Sequence, residues 1–214
     1  MSLVRLISMS VVLLAALILG VVSPLPAADR EGPSSEVLTA ARRAVDCAVQ
    51  RGDLSATDLL TVIDYRLPST EPRLWVIDGE ARILFAERVA HGQNTGDNLA
   101  STFSDTSGSH QSSLGLFVTA ETYRGKHGYS LRLDGLEPGY NGRARDRAIV
   151  MHGADYATQD FIDRHGRLGR SWGCPAVRPD VSRSLIDAIQ GGTPLFAYYD
   201  DDAWLRGSEL LQCD

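Results

Sequence analysis

The sequence predicts a mostly β domain with a few helices, supported by a helical brace at its N-terminal side. From residue 73 onward, short runs rich in Val, Ile, Leu and aromatic residues alternate with clusters of Gly, Asp, Asn and Ser, as in strands joined by turns. Apolar residues at helical spacing are clearest over 34–50 and 180–190. Without a leader, about 185 residues remain, enough for one domain with a hydrophobic core.

Residues 1–28 are typical of a secretory signal peptide. Arg5 supplies positive charge, an uncharged apolar run covers 11–22, and small residues follow up to Ala28. The apolar run is shorter than the about 20 residues that a membrane-spanning helix needs, so we expect cleavage near Ala28. The mature protein should then be secreted, in the periplasm or cell envelope, and membrane-anchored only if the leader stays uncleaved.

The charge balance excludes one class of partner. The chain has 21 Lys and Arg against 27 Asp and Glu, a formal net charge of −6, which is unfavourable for binding nucleic acid.

After the signal peptide, we expect an N-terminal helical segment over 29–66 and a main domain over 67–214.

The elements follow from local patterns. In the N-terminal segment, Ser34 can cap a helix that ends at Gly52, and a second short helix is expected over 56–64. In the main domain, the patterns predict strands over 74–78, 82–86, 114–122, 130–133, 147–151 and 194–199, and helices over 140–145 and 180–190. The first two strands should form a hairpin, and the polar stretch 93–113 should be a long functional loop.

The chain has three cysteines, so in a secreted protein at least one of them has no disulfide partner within the chain. Cys47 and Cys213 lie near the two ends of the mature chain and could pair in an oxidising compartment; two unpaired thiols are the alternative. Cys174 is the cysteine with a chemical context, because it lies in the glycine-containing segment 169–175.

Segment 169–175 has the features of a nucleophile loop. Gly173 permits a backbone conformation that a side chain would forbid, so the amides of Gly173 and Cys174 could form an oxyanion hole beside the sulfur. A thiol needs a nearby base or cation to become a thiolate. His152 follows an apolar strand, and the Gly153 carbonyl could hold one ring nitrogen while the other faces the sulfur. Local sequence alone leaves open a structural thiol and a strand-end histidine.

His152 together with Ser171, Trp172, Gly173 and Cys174 resembles the catalytic motif of the murein L,D-transpeptidases of YkuD-like type. The resemblance extends over most of the mature chain and includes residues 61–65, 73–78, 89–92, 112–115, 123–128 and 131–136. It implies a β-sandwich-type catalytic domain over 67–214.

The resemblance also implies a chemistry. Cys174 would attack an amide of a peptidoglycan stem peptide to form a thioester, with His152 as general base, and an amine acceptor would then take the acyl group. An L,D-carboxypeptidase or amidase, or a non-catalytic wall-binding module, is the alternative. The spacing of His and Cys residues matches no strong zinc signature, so neither a metal nor another cofactor is expected.

Two departures from the commoner family motif mark a divergent branch. Trp172 stands where that motif has His, and Ala176 stands where it has Arg or Asn. The residues expected to bind substrate are Ser171, Trp172, Arg170 and Tyr123. Of these, Trp172 is expected to form a wall of the acyl pocket, and Arg170 could hold a substrate carboxylate through its bidentate fork.

Overall fold

The computed structural model describes residues 32–213. The predicted signal peptide, residues 1–28, lies outside the described residues. Within 32–213, none of the helices combines the length and the apolar character needed to cross a membrane.

Eight strands, four α-helices and one 3₁₀ turn make up the described part of the chain. In chain order they are α1 (Ser35–Arg51), β1 (Leu60–Asp64), β2 (Leu74–Ile77), β3 (Ile83–Glu87), β4 (Gly115–Gly125), β5 (Gly128–Gly135), β6 (Val150–Gly153), the 3₁₀ turn (Asp155–Ala157), α2 (Gln159–His165), β7 (Ala176–Val177), α3 (Pro179–Ile189), β8 (Pro194–Tyr198) and α4 (Asp202–Gly207). This confirms the mostly β class with a few helices.

The strands form one mixed sheet in the order β3-β2-β1-β8-β4-β5-β6-β7. The β1–β8 and β6–β7 pairs are parallel, and the other neighbours are antiparallel. Ala90, just after β3, forms an antiparallel bridge with Ala176 of β7, and its amide donates to the Ala176 carbonyl at 2.8 Å. The two ends of the sheet therefore meet, and they do so beside the segment that carries Cys174.

Helix α1 forms where the sequence predicts it. The Ser34 hydroxyl accepts a hydrogen bond from the Val37 amide at 3.4 Å, and Gly52 ends the helix in the left-handed conformation with φ +78°. Its buried face packs on the sheet, and Cys47 on that face forms a disulfide with Cys213, with 5.8 Å between the Cα atoms. The brace is therefore covalently tied to the C-terminal end of the chain.

The second helix expected over 56–64 is wrong. Leu60–Asp64 is strand β1, which lies between β2 and β8 near the middle of the sheet. Its β-branched residues are buried on both faces, so the apolar run does not alternate and periodicity alone cannot separate it from a helix.

The short helix expected over 140–145 is also wrong, since residues 138–148 form turns. The Glu137 carbonyl accepts hydrogen bonds from the amides of Tyr140, Asn141 and Gly142. The Asn141 side chain accepts from the Glu137 amide at 2.8 Å and donates to the Leu116 carbonyl at 3.0 Å. Such local bonds from an Asn side chain compete with helix formation.

Candidate active site

Two neighbouring strands bring Cys174 and His152 to the same part of the sheet. Strand β6 carries His152, and β7 begins two residues after Cys174. The strands run parallel with His152 opposite Ala176, and the Pro175 carbonyl accepts a hydrogen bond from the His152 amide at 3.4 Å. Neighbouring strands are about 4.8 Å apart, so the thiol and the imidazole belong to adjacent pieces of backbone.

The half-buried Cys174 sulfur lies against the start of β6. The Val150 amide donates to the sulfur at 3.5 Å, and the thiol donates to the Ala148 carbonyl at 3.7 Å. Burial raises the pKa of the Cys174 thiol, while the Val150 amide and the charge of Arg147 oppose this rise. The resting residue at neutral pH is therefore a thiol that needs a base.

The His152 imidazole is buried and fixed in one tautomer. Its Nδ1 lies 3.0 Å from the Gly153 carbonyl oxygen, and because a carbonyl can only accept, Nδ1 carries the proton and Nε2 has the free lone pair. Burial lowers the pKa of His152, so the ring is neutral at pH 7. This is the contact expected from the sequence; its catalytic use stays a prediction.

Tyr156 lies beside both groups. Its ring meets the His152 ring edge-on with 6.4 Å between centroids. Its pKa is raised by burial and, to a smaller extent, by the charge that Cys174 would carry. Within residues 32–213, no hydrogen bond joins the Cys174 sulfur to the His152 ring. Such bonds are often long in a free enzyme and shorten in the substrate complex.

The loop that leads into Cys174 is held by its own side chains and by a neighbouring segment. Ser171 Oγ accepts from the Gly173 amide at 3.0 Å and donates to the Cys174 carbonyl at 2.6 Å. The Ser112 hydroxyl donates to the Gly173 carbonyl at 3.2 Å. Because the Gly173 amide is engaged, the Cys174 amide is the one of the two that makes no hydrogen bond within the described residues.

Gly173 occupies a position that only glycine fits. Its φ is +115°, and a Cβ atom there would lie 2.6 Å from the Gln111 carbonyl oxygen. The close approach of the 93–113 loop, predicted from the sequence as functional, thus fixes the backbone one residue before the thiol.

Arg147 is a part of the site that the sequence reasoning missed. Its side chain is 3% exposed and lies 3.7 Å from the Asp105 carboxylate. It donates to the carbonyls of Ser104 and Gln111 at 2.7 and 2.6 Å, and so fastens the loop that contacts Gly173. The one sequence signal was its place at the start of the predicted strand 147–151, which leads into His152.

Trp172 is the most exposed of the large hydrophobic side chains in the described part of the chain, at 68%. Its indole stacks on the His110 ring with 4.7 Å between centroids and 8° between planes. An aromatic surface two residues before Cys174 suits the predicted pocket wall, which stays a prediction.

Arg170 and Tyr123 have other partners in the structure. Arg170 Nη1 donates to the Asp97 carboxylate at 2.7 Å and to the Gly96 carbonyl at 3.3 Å. Tyr123 lies on β4, where the Arg132 guanidinium covers its ring at 4.5 Å. A substrate carboxylate would have to replace Asp97 on Arg170, so that role remains untested.

His91 and His127 differ in position. His91 is buried, accepts from Arg73 Nη2 at 2.7 Å through Nδ1, and donates from Nε2 to the Gly96 carbonyl at 3.2 Å. Burial and the Arg73 charge lower the pKa of His91 to about 4, so His91 is a neutral residue that supports the 93–113 loop.

His127 lies at the turn between β4 and β5 and stacks on His152, with 4.4 Å between centroids. The described residues contain no cluster of three or more potential metal ligands.

Several solved structures are similar to this chain. An L,D-transpeptidase from Mycobacterium smegmatis shares 13% identity at a TM-score of 0.44, covering 67% of this chain and 60% of its own. L,D-transpeptidase 3 from Mycobacterium tuberculosis shares 10% identity at a TM-score of 0.41, covering 66% and 61%. A mutant L,D-transpeptidase from Enterococcus faecium shares 13% identity at a TM-score of 0.40, covering 66% and 50%. The chain thus spans about 60% of the length of the first of these.

No curated protein matches the chain. The family model of the YkuD_2 domain, described as an L,D-transpeptidase catalytic domain, matches residues 30–198. This match covers most of the chain, including α1, the strands and the segments that carry His152 and Cys174, and it confirms the resemblance noted in the sequence. The chain belongs to the YkuD_2 family of L,D-transpeptidase catalytic domains.

Proposed function

We propose that this protein is a peptidoglycan L,D-transpeptidase that works through a Cys174 thioester. The observation that carries the proposal is the joint placement of a thiol and a neutral imidazole on adjacent strands, with the Nδ1 proton of His152 held by the Gly153 carbonyl. This leaves Nε2 as the atom that can take a proton. Family membership supplies the class of reaction.

In the acylation step, Nε2 of His152 takes the thiol proton as the Cys174 sulfur attacks the carbonyl carbon of an amide in a stem peptide. The Cys174 amide is the candidate donor to the oxyanion, a contact typically worth about 2.7–4 kcal/mol in the transition state. The C–N bond then breaks, the leaving amine receives the proton from His152, and a thioester remains.

In the second step, an amine of another stem peptide attacks the thioester carbonyl. His152 takes a proton from that amine, the C–S bond breaks, and the sulfur recovers its proton from the imidazolium. Hydrolysis by an L,D-carboxypeptidase differs only in that water replaces the amine. The exposed Trp172 indole, two residues before Cys174, offers an aromatic surface on which an acceptor peptide can pack, and we therefore prefer transfer to hydrolysis.

The test is an incubation of the purified protein with defined tetrapeptide muropeptides, followed by mass spectrometry. Cross-linked dimers are expected, and Cys174→Ala should abolish them while a His165→Ala control, changed at an exposed position on α2, should not. Shortened monomers alone would replace the transpeptidase with a hydrolase. Binding without turnover in both wild type and Cys174→Ala would instead indicate a wall-binding module.

A carbapenem gives a second, independent readout of the nucleophile. Acylation should add the mass of the β-lactam to the intact protein once, and Cys174→Ala should remove the adduct. An adduct that persists in Cys174→Ala would place the reactive group elsewhere.

We also infer that the enzyme acts outside the cytoplasm, in the periplasm or cell envelope. Support comes from the residues 1–28 and from a family whose substrate is the cell wall. Fractionation of cells and N-terminal sequencing of the mature protein test this: cleavage near Ala28 is expected, and a full-length chain in the membrane fraction would instead support the anchor.

A further inference from the structure

The turn between β4 and β5 brings a second imidazole onto the candidate base. Residues 126 and 127 form the tip of this hairpin, with Gly125 paired to Gly128. His127 is exposed there, yet its ring stacks on that of His152 with 26° between planes. Strand β5 also pairs with β6, with Ser130 opposite His152, so the hairpin and the base belong to one continuous stretch of sheet.

The contacts of His152 define what His127 adds. The Gly153 carbonyl holds Nδ1, and the Tyr156 ring lies nearly perpendicular to the imidazole at 80°, so neither of them stacks on the ring. The stacked His127 ring covers one face. Rotation of His152 about its side-chain bonds would have to displace this ring, and a rotated imidazole would no longer offer Nε2 to the thiol.

We propose that His127 is a positioning residue for the reaction: from the hairpin tip, its ring stacks on His152 and keeps Nε2 directed at the cleft that contains Cys174. This inference rests on the proposed function, because it concerns the same catalytic pair. His127 takes no proton from substrate in this role and acts through His152.

A second effect follows from charge. Burial lowers the pKa of His152, and the charge of His127 lowers it further. The other titratable groups near the pair are Tyr156 from the 3₁₀ turn, Cys174 from the nucleophile loop and Lys126 next to His127.

Asp155 of the 3₁₀ turn is exposed, and charged side chains on the β4–β5 hairpin and on α3 form pairs of their own. On the β4–β5 side, Arg132 pairs with Glu121 at 3.1 Å. On α3, Asp187 accepts from the Tyr129 hydroxyl at 2.6 Å and lies 3.6 Å from Arg183. Repulsion from His127 therefore keeps His152 in the neutral, proton-accepting form to lower pH than burial alone would.

Two substitutions separate the two effects. His127→Phe keeps a flat ring and removes the charge; His127→Ala removes both. In the full chain, His127→Ala should lower kcat about ten- to a hundredfold with little change in KM, since misorientation of a catalytic group costs rates of this order. His127→Phe should keep kcat within about twofold at alkaline pH and move the acid limb of the kcat/KM profile to higher pH, because His152 then protonates more readily. His165→Ala, at an exposed histidine on helix α2, is the matched control and should leave the profile unchanged.

The proposal is overturned if His127→Ala retains the wild-type kcat and pH profile, or if His127→Phe loses as much kcat as His127→Ala. Because a nuclear magnetic resonance titration of the His152 ring does not need turnover, it separates this inference from the proposed function. Wild type should show the lowest His152 pKa, and both variants a higher one. Equal His152 pKa values in all three proteins would also overturn it, whether or not the protein cross-links muropeptides.

Discussion

At the scale of single residues, the buried Arg147 has two effects on the candidate site. Its guanidinium holds the 104–113 segment in place by donating hydrogen bonds to the Ser104 and Gln111 carbonyls. Its charge opposes the rise in the pKa of the Cys174 thiol. Both effects depend on a side chain that is almost completely buried beside Asp105.

Arg147→Met should therefore raise the Cys174 pKa and leave the Asp105 carboxylate without its buried partner. Removing one member of a buried pair typically costs about 3–5 kcal/mol of unfolding free energy. The pH dependence of alkylation by iodoacetamide measures the first effect and urea unfolding the second. Arg147→Lys, which keeps the charge but loses the fork, should retain more of the thiol reactivity; an alkylation curve of Arg147→Met that matches wild type would contradict the electrostatic role.

The pH dependence of the reaction has a definite sign. Burial raises the pKa of Cys174 and lowers that of His152, so the resting pair is a neutral thiol and a neutral imidazole. Below the depressed His152 pKa the ring is protonated and cannot accept the thiol proton, and above it kcat/KM should rise toward alkaline pH as the thiolate becomes more accessible. A profile measured from pH 5 to 10 that peaks near pH 5 would contradict this arrangement.

The sequence singles out His152 with Gly153 and Gly173 with Cys174, because the members of each pair are adjacent in the chain and the two pairs match the motif of a known family. Their catalytic roles stay predictions. The tertiary contacts of Arg147 could not be predicted, since one more arginine in a stretch that also contains Arg143 and Arg145 carries no pattern of its own.

At the scale of elements, the predicted hairpin, the brace helix and the strand that ends in His152 follow from patterns read over a few residues. Strand β1 and the 138–148 turns did not follow, because a strand buried on both faces and a turn held by the Asn141 side chain are decided by their neighbours. Helix α2 (Gln159–His165) was not among the predicted helices; it has no buried residue and therefore no apolar stripe to reveal it.

The packing of the nucleophile loop on the 93–113 loop predicts the effect of a single methyl group. Gly173→Ala places a Cβ 2.6 Å from the Gln111 carbonyl oxygen at a φ of +115°, so the loop has to shift. We expect cross-linking to fall by at least about a hundredfold with a cost of about 1–3 kcal/mol in unfolding free energy. Wild-type turnover would mean that the loop tolerates the displacement.

Glu137 joins β4, α4 and the 138–148 turns. Its carboxylate accepts from the Leu116 amide at 2.7 Å and from the Trp204 indole at 3.1 Å. In Glu137→Gln, the side-chain NH₂ group would face one of these donors, at a cost of about 1–3 kcal/mol.

The same substitution tests a pH effect on stability. Burial raises the pKa of Glu137, so the folded protein binds this proton more tightly than the unfolded chain. The stability gained from protonation is present below the ordinary glutamate value and is lost as pH rises through the raised folded value. Urea unfolding at a series of pH values should show wild type losing stability relative to Glu137→Gln as pH rises; parallel curves would contradict the raised pKa.

At the scale of the whole molecule, the sheet closes through the Ala90–Ala176 bridge, and the Cys47–Cys213 disulfide closes the chain. The disulfide spans 166 residues, and a loop of that size adds about 5 kcal/mol of stability in the chain-entropy model.

Replacing both cysteines by alanine should therefore lower the Tm, by about 2–4 °C for each kcal/mol lost in a domain of this size. The cross-linking rate below the transition should be unchanged, because α1 packs chiefly on β1, β4 and β8, whereas β6 and β7 position the thiol and the imidazole. Thermal unfolding of wild type with and without a reductant gives the same comparison. Equal Tm values in all samples would mean that the bridge adds nothing to the stability of the folded chain.

Because of the disulfide between residues 47 and 213, the stability of the fold also depends on the cell compartment in which the chain matures. A chain that stays in the reducing cytosol keeps both cysteines as free thiols and lacks the disulfide. Recombinant material from an ordinary cytosolic host would be this weaker form, whereas export to an oxidising space yields the durable one. Heat resistance could thus report where a preparation had been oxidised before any assay of its chemistry.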